Sequence, residues 1–279
     1  TLEQAVTSIT KQTEANLELI VINDGSDDGT ADLAHALAAS DTRIRTHHFR
    51  VQKGIVPALN FGIHLARAPY IARMDADDEA FPRRLEAQTA FLQQHPEIGL
   101  VGCRVAFGGD PHQQAGYFAH VTWTNSLLSH CDIALNRFVE SPFPHPSVLF
   151  RKEIVLQHGG YRSGPFPEDY ELWLRWLDCG VRMAKVPETL LQWNDAPTRL
   201  SRTDPRYSFR AFYECKAAYL NRWLARHNPQ HPGVIVWGAG RETRKRADSL
   251  LRHGIAIRAY VDIDPRKIGN SIHGRSVLS

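Results

Sequence analysis

Apolar residues spaced three and four apart alternate along this chain with short β-branched runs. The first such spacing, Leu2, Ala5, Val6 and Ile9, predicts a helix over 2–12. Leu17–Ile22 reads as a buried strand ending in Asn23-Asp24-Gly25-Ser26-Asp27-Asp28-Gly29-Thr30, a tight polar turn. A helix over Ala31–Ala39, a strand over Arg43–Phe49 and a helix over Gly54–Ala66 follow. Tyr70–Met74 is a further strand, and Phe81-Pro82 opens a helix with Leu85, Thr89 and Leu92 on one face, stopped by His95-Pro96. Ile98–Phe107 is a strand and 108–114 a polar loop. Strand alternating with helix predicts a mostly parallel, three-layer α/β domain.

Beyond it, 126–142 predicts a helix and loop, and Ser147–Phe150 a strand. Gly159-Gly160-Tyr161-Arg162 is a turn. Tyr170, Trp173, Leu174 and Leu177 mark one face of a helix running to about Cys179. Val181–Val186 reads as an edge strand, 192–206 as a polar, arginine-rich segment, and Ser208–His227 as a long helix with Phe212, Leu220, Trp223 and Leu224 on its apolar face. After a proline-containing linker, Val234–Trp237, the turn Gly238-Ala239-Gly240, a helix over Arg241–His253 and a strand over Ile255–Val261 ending in Asp262 form a dinucleotide-fold-like unit; Thr243 stands where the third glycine of that fingerprint belongs. The expected divisions are 1–195, 196–230 and 231–279.

Composition narrows the classes. The chain has 279 residues, 43% apolar and 23% charged, with a net charge of +3, so global charge gives no sign of nucleic-acid binding. The four cysteines are scattered, which suits a reducing, cytoplasmic setting. No run approaches the ~20 apolar residues of a membrane span; basic C-terminal helices would allow peripheral contact with the inner face of an anionic membrane. The chain starts at Thr1 inside an amphipathic pattern, without Met.

Chemistry concentrates at Asp75, Asp77 and Asp78, three acids delivered to the end of one strand. Close carboxylates repel, and hard divalent cations such as Mg²⁺ or Mn²⁺ relieve that, often with phosphate oxygens completing the shell. A solvated acidic turn before a helix is the alternative. Asp24 at the first strand's end either binds a base or ribose or shapes its turn. Lys53 either reaches a phosphate or is solvated. His145 either touches a substrate or satisfies nearby backbone. The arginines 199, 202 and 206 either close over an anion or belong to a solvated linker. Asp169, beside Glu168, either caps its helix or acts as a general base.

In this order and spacing, Val21–Thr30, Arg73-Met74-Asp75-Ala76-Asp77-Asp78, His145-Pro146-Ser147, Gly159-Gly160-Tyr161-Arg162 and Glu168-Asp169-Tyr170 resemble family 2 of the inverting nucleotide-sugar glycosyltransferases. The resemblance covers about residues 1–195. It implies a GT-A-type, Rossmann-like three-layer α/β/α sandwich, here followed by C-terminal helices and a small incomplete Rossmann-like βαβ unit. It implies that Asp24 contacts the nucleotide base, that Asp75 and Asp77 form the DxD pair with Asp77 the direct ligand of Mn²⁺ or Mg²⁺, and that Asp169 is the catalytic base. Lys53 and Arg73 join the expected nucleotide-sugar contacts; His145, Glu168 and Asp78 are expected acceptor or loop contacts. A UDP-sugar donor and a polysaccharide or glycolipid acceptor follow as expectations. The family's first strand and its Pro-x-Tyr-Asn-type loop are expected to precede Thr1. A sugar nucleotidyltransferase and a non-catalytic nucleotide-sugar binder are the competing readings.

Overall fold

The computed structural model describes residues 1–195 and 199–279. It divides into two compact units, one of Thr1–Ser163 with Glu168–Arg202, the other of Gly164–Pro167 with Thr203–Ser279. The boundary expected at 195–196 adjoins residues 196–198, which lie outside the described residues. The long helix expected over Ser208–His227, within the middle division, groups with the C-terminal strands.

In the first unit, α1 (Leu2–Thr10), β1 (Leu19–Asn23), α2 (Thr30–Ser40), β2 (Ile44–His48) and α3 (Ile55–Leu65) follow the apolar spacing closely. β1 and β2 pair in parallel, Asn23 opposite His48, so their carboxyl ends share one edge. Next come β3 (Tyr70–Ala72), β4 (Glu79–Ala80), α4 (Arg84–Gln94), β5 (Ile98–Phe107), α5 (Ala115–Ser126), α6 (His130–Asn136), β6 (Leu149–Arg151), α7 (Lys152–His158), α8 (Glu168–Asp178), β7 (Arg182–Trp193) and α9 (Leu200–Thr203). Strands β3 to β7 form a second sheet in the order β3-β6-β5-β7-β4.

That sheet separates two apolar cores. Val101, Cys103, Val105, Leu149 and Ala184 face Leu85, Leu92 and Val121. Leu100, Phe150 and Met183 face Phe143, Ile133, Trp173 and Trp176. Successive strand residues point to opposite faces, so one sheet serves both layers. Helix α8 also buries Leu172 and Trp176 besides its expected face, and is enclosed on all sides.

Several expectations change. The five-stranded sheet is mixed: β5 and β7 are parallel, whereas β3–β6, β5–β6 and β4–β7 are antiparallel. β7 is not an edge strand. It runs twelve residues between β5 and β4. Its register jumps from Val186↔Cys103 to Thr189↔Arg104, leaving Pro187 and Glu188 in a bulge; the strand passes its proline because the residue without an N–H sits out of the ladder. Residues 145–147 form a 3₁₀ turn, with Ser147 N–H donating to Pro144 C=O at 3.0 Å, so β6 starts only at Leu149. The helix expected from Phe81 starts at Arg84, because Phe81 N–H is taken by Leu190 C=O at 2.9 Å. Helix α5 has no counterpart in the sequence reading.

In the second unit, α10 (Phe209–His227) is N-capped by Ser208, whose side chain accepts from Ala211 N–H. Its buried residues include Ala211, Cys215, Ala217 and Tyr219; Phe212, Leu220, Trp223 and Leu224 are half-buried. β8 (Gly233–Trp237), α11 (Arg241–Arg252), β9 (Ala256–Val261), β10 (Ser271–Ile272) and β11 (Arg275–Leu278) complete it. The sheet order is β10-β11-β9-β8, with β8, β9 and β11 parallel.

Candidate active site

The three acids lie where one edge strand hands over to the other. Residues 73–78 link β3 to β4, the outer strands of the five-stranded sheet. Carboxylate oxygens of Asp75, Asp77 and Asp78 lie within 4.8 Å of one another. Asp78 is buried; its Oδ1 accepts Asn194 N–H at 2.8 Å, and its Oδ2 has no partner. Asn194 also donates through Nδ2 to Asp77 C=O at 2.7 Å, fastening the acidic loop to the end of β7. Burial first, then the charge of Asp75, pushes the Asp78 carboxyl up to about 8; the same two causes raise Asp77.

An orphaned, buried carboxylate oxygen beside two further carboxylates is the donor set a hard cation takes. Asp75, Asp77 and Asp78 therefore fit a divalent metal.

Arg73 supplies a fixed counter-charge. It is buried and paired with Asp75. Burial works against its charge, but Asp75, Tyr161 and Asp78 together outweigh burial and raise its pKa. Its position rests on Arg84 and Gln88 of α4, both wholly buried. Arg84 Nη2 donates to Arg73 C=O at 2.8 Å, and Arg84 Nε to Gln88 Oε1 at 3.1 Å. Gln88 Nε2 donates to Ser147 C=O at 2.8 Å and Val101 C=O at 3.1 Å. The carbonyl ends of β3 and of the 145–147 turn thus find donors inside the core, where water cannot serve them. Neither residue was anticipated. The available signal was two polar residues, i and i+4, beside Leu85 and Leu92 on a helix face that must be buried.

His145, buried, lies within Coulombic reach of Arg73. Its Nε2 is 2.7 Å from Tyr161 Oη. Burial, then Arg73, holds the imidazole well below its ordinary pKa, so the ring is neutral. Tyr161 is raised by burial, is steadied by Arg73, and feels Asp169, Glu168 and Asp75. Asn60 of α3 brackets its backbone, donating to Tyr161 C=O at 2.9 Å and accepting Tyr161 N–H at 3.0 Å.

Asp169 sits in the first turn of α8 next to buried Glu168. Its Oδ1 accepts Tyr170 N–H at 2.7 Å. Burial, then Glu168, raises its carboxyl to about 7, and Arg73 draws it part of the way back. The guanidinium of Arg73 is therefore within Coulombic reach of Asp77, Asp78 and Asp169 together.

Asp24 and Lys53 belong to the β1–β2 edge. Asp24 Oδ1 accepts Lys53 N–H and Oδ2 accepts Gly54 N–H, each at 2.8 Å, so the carboxylate ties the loop after β1 to the loop that leads into α3. Lys53 Nζ lies 4.5 Å over the Phe49 ring. Of the expected arginines, Arg199 and Arg202 pair with Asp195, and Arg199 stacks on Trp193; its charge also reaches Asp77. Arg206 pairs with Asp204 in the second unit.

The model of the family described as "Glycosyl transferase family 2" matches residues 1–158. The chain is 30% identical over 227 residues to the O-antigen biosynthesis glycosyltransferase WbnJ of Escherichia coli, covering 79% of this chain and 82% of WbnJ. It resembles S. aureus TarS 1-349 in complex with UDP-GlcNAc, with TM-score 0.61 and 13% identity, covering 90% of this chain and 76% of that one. It also resembles the mannosyltransferase PcManGT of Pyrobaculum calidifontis in complex with GDP-Man and Mn²⁺, with TM-score 0.55 and 17% identity, covering 90% of this chain and under two thirds, 64%, of that one. At such identities the two structures establish the fold. Among the described residues, no helix is long and apolar enough to cross a membrane.

Proposed function

The chain belongs to glycosyl transferase family 2, and on that premise we propose that it moves a hexosyl group, with inversion, from a nucleoside diphosphate sugar to a hydroxyl of a growing polysaccharide or lipid-linked glycan. A UDP-sugar is the first donor to test, as TarS is seen with UDP-GlcNAc. A glycan acceptor is supported by the role of WbnJ in O-antigen biosynthesis. Contact of the basic C-terminal helices with an anionic membrane surface would bring the enzyme to a lipid-linked acceptor.

Asp77 and Asp75, with Asp78 behind them, would hold Mn²⁺ or Mg²⁺. When bound, such a cation offsets charge developing on the departing diphosphate. Arg73 adds a positive charge that needs no reorganisation during reaction, because Asp75 and Arg84 hold it at both ends. Asp169 takes the proton of the acceptor hydroxyl. The acceptor oxygen then bonds to the anomeric carbon while the carbon–phosphate oxygen bond breaks on the opposite face, its electron pair leaving with the nucleoside diphosphate. A carboxyl poised at about 7 suits this role, being basic enough to take a proton and still largely ionised just above neutrality. His145, neutral and bonded to Tyr161, fixes the hydroxyl of a tyrosine that feels the charges of both Asp169 and Asp75. Glu168 raises Asp169. Two acceptor sites of Asp24 are filled by loop amides, and the remaining capacity of its carboxylate is available to a ribose hydroxyl or base. Lys53 stands near the same edge for a phosphate.

The observation that carries this reading is that one guanidinium, Arg73, paired with Asp75, lies within Coulombic reach of Asp77, Asp78 and Asp169. The test is a split between two substitutions, each assayed with UDP-sugars and Mn²⁺. Asp169→Asn should lower turnover by about 10²–10⁴-fold with donor affinity kept, whereas Asp77→Asn should weaken donor binding. Near-normal turnover in Asp169→Asn would remove that residue from the reaction.

A further inference from the structure

The second unit holds a cavity of about 480 Å³ that none of the proposed chemistry uses. Its walls include Gly240, Arg241, Arg244, Lys267, Asn270 and Ser271, with no acidic residue among the lining. We infer that this cavity is a binding site for a phosphorylated small molecule, with Arg241, Arg244 and Lys267 and the first turn of α11 receiving the phosphate.

The local chain builds it for that purpose. β8 ends at Trp237 and is followed by Gly238, whose φ of +98° only glycine adopts readily. A Cβ there would also lie 2.9 Å from Thr243 Oγ1. The turn then leads directly into α11, a helix of twelve residues whose N-cap, Gly240, provides no side-chain hydrogen bond. First-turn amides of such a helix present unfilled donors and a positive dipole end. Gly240 has open space where a side chain would be, so a ligand can approach the backbone.

A second, independent observation points to an anion. Arg244 Nε is buried and has no hydrogen-bond partner. A guanidinium donor left unsatisfied away from water is costly unless an acceptor completes it. Among the described residues neither Arg241 nor Arg244 pairs with a carboxylate, and Lys267 is bound to Asp262 at 3.0 Å.

The same residues argue against a dinucleotide. In that fold the acid ending the second strand accepts ribose hydroxyls. Here Asp262 is already engaged by Ala239 N–H at 2.8 Å, Asp264 N–H at 2.9 Å and Lys267 Nζ. Those bonds, led by the Asp264 amide, hold its carboxyl down to about 2. The volume exceeds that of bare phosphate and falls in the range of small-ligand sites, so the ligand class is a nucleoside or sugar carrying one or two phosphates. The site lies wholly within the second unit and uses none of the first unit's acids.

Calorimetric titration of the full chain with inorganic pyrophosphate, in EDTA to silence the acidic triad, tests this. UDP and a hexose 1-phosphate serve as further arms that tell nucleotide from sugar phosphate. Binding in the micromolar to low-millimolar range is expected. Arg244→Gln and Arg241→Glu should each weaken it by about tenfold or more, with Asp77→Asn without effect. Arg241 is exposed, so its variant folds even if Arg244→Gln does not. No binding of any probe up to about 10 mM, binding unchanged in Arg241→Glu, or binding lost in Asp77→Asn would each overturn the assignment.

Discussion

Arg84, wholly buried in α4, donates through Nη2 to the backbone carbonyl of Arg73 at 2.8 Å, and so sets the strand end from which Asp75 and Asp77 project. Replacing Arg84 by Met keeps the volume but orphans the Arg73 carbonyl and Gln88 Oε1 inside the core. The expected loss is about 2–4 kcal/mol of stability together with weaker Mn²⁺ binding. Arg84→Lys should recover little, since an ammonium cannot reproduce the fork. Urea denaturation with a parallel Mn²⁺ titration reads both effects; a fully stable Arg84→Met protein with normal cation affinity would contradict them.

Asp169 predicts a pH dependence of opposite sense for rate and stability. Its carboxyl titrates at about 7 in the fold, raised by burial and then by Glu168, against 3.8 ordinarily. Turnover should therefore rise as pH increases through about 7, where the base ionises. Between those two values the folded chain keeps a proton that the unfolded chain has released, so this group costs stability as pH rises through that window. Asp169→Asn removes the cost. Thermal melts should place the variant above wild type at about pH 8, with the gap closing toward about pH 4; a gap independent of pH would argue against a raised carboxyl.

Cation binding should release a proton. With the Asp78 carboxyl at about 8, mainly through burial, the site is partly protonated near neutrality. Mn²⁺ affinity should climb between about pH 6 and pH 8, by at most about tenfold per unit for one proton. Asp78→Asn should flatten that slope. Electron paramagnetic resonance of free Mn²⁺ measures it directly, and a pH-independent wild-type affinity would leave Asp78 outside the cation site.

Gly25 allows the loop after β1 to meet the loop before α3. Its φ is +77°, and a Cβ would sit 2.7 Å from Gln52 N. Gly25→Ala should cost about 1–3 kcal/mol and loosen the grip of Asp24 on Lys53 and Gly54. Chemical denaturation reads the first effect, and faster amide exchange at 53 and 54 the second. Unchanged exchange would mean the clamp does not depend on this approach.

The order and type of most elements, and the acids at 75–78 and 169, were legible in the chain itself. Each rests on short-range information: a helical or strand period, a turn rich in glycine, or charges adjacent in sequence. Even the clamp by Asp24 was half visible as a turn-shaping carboxylate. Tertiary structure alone decided the strand directions, the interior place of β7 past Pro187, and the support beneath the acids. Asn194 reaches Asp77 across 117 residues, and Gln88 reaches Ser147 across 59. Such bonds leave no periodic trace, because they arise only when packing removes water and obliges buried carbonyls and carboxylates to find partners wherever the folded chain supplies them.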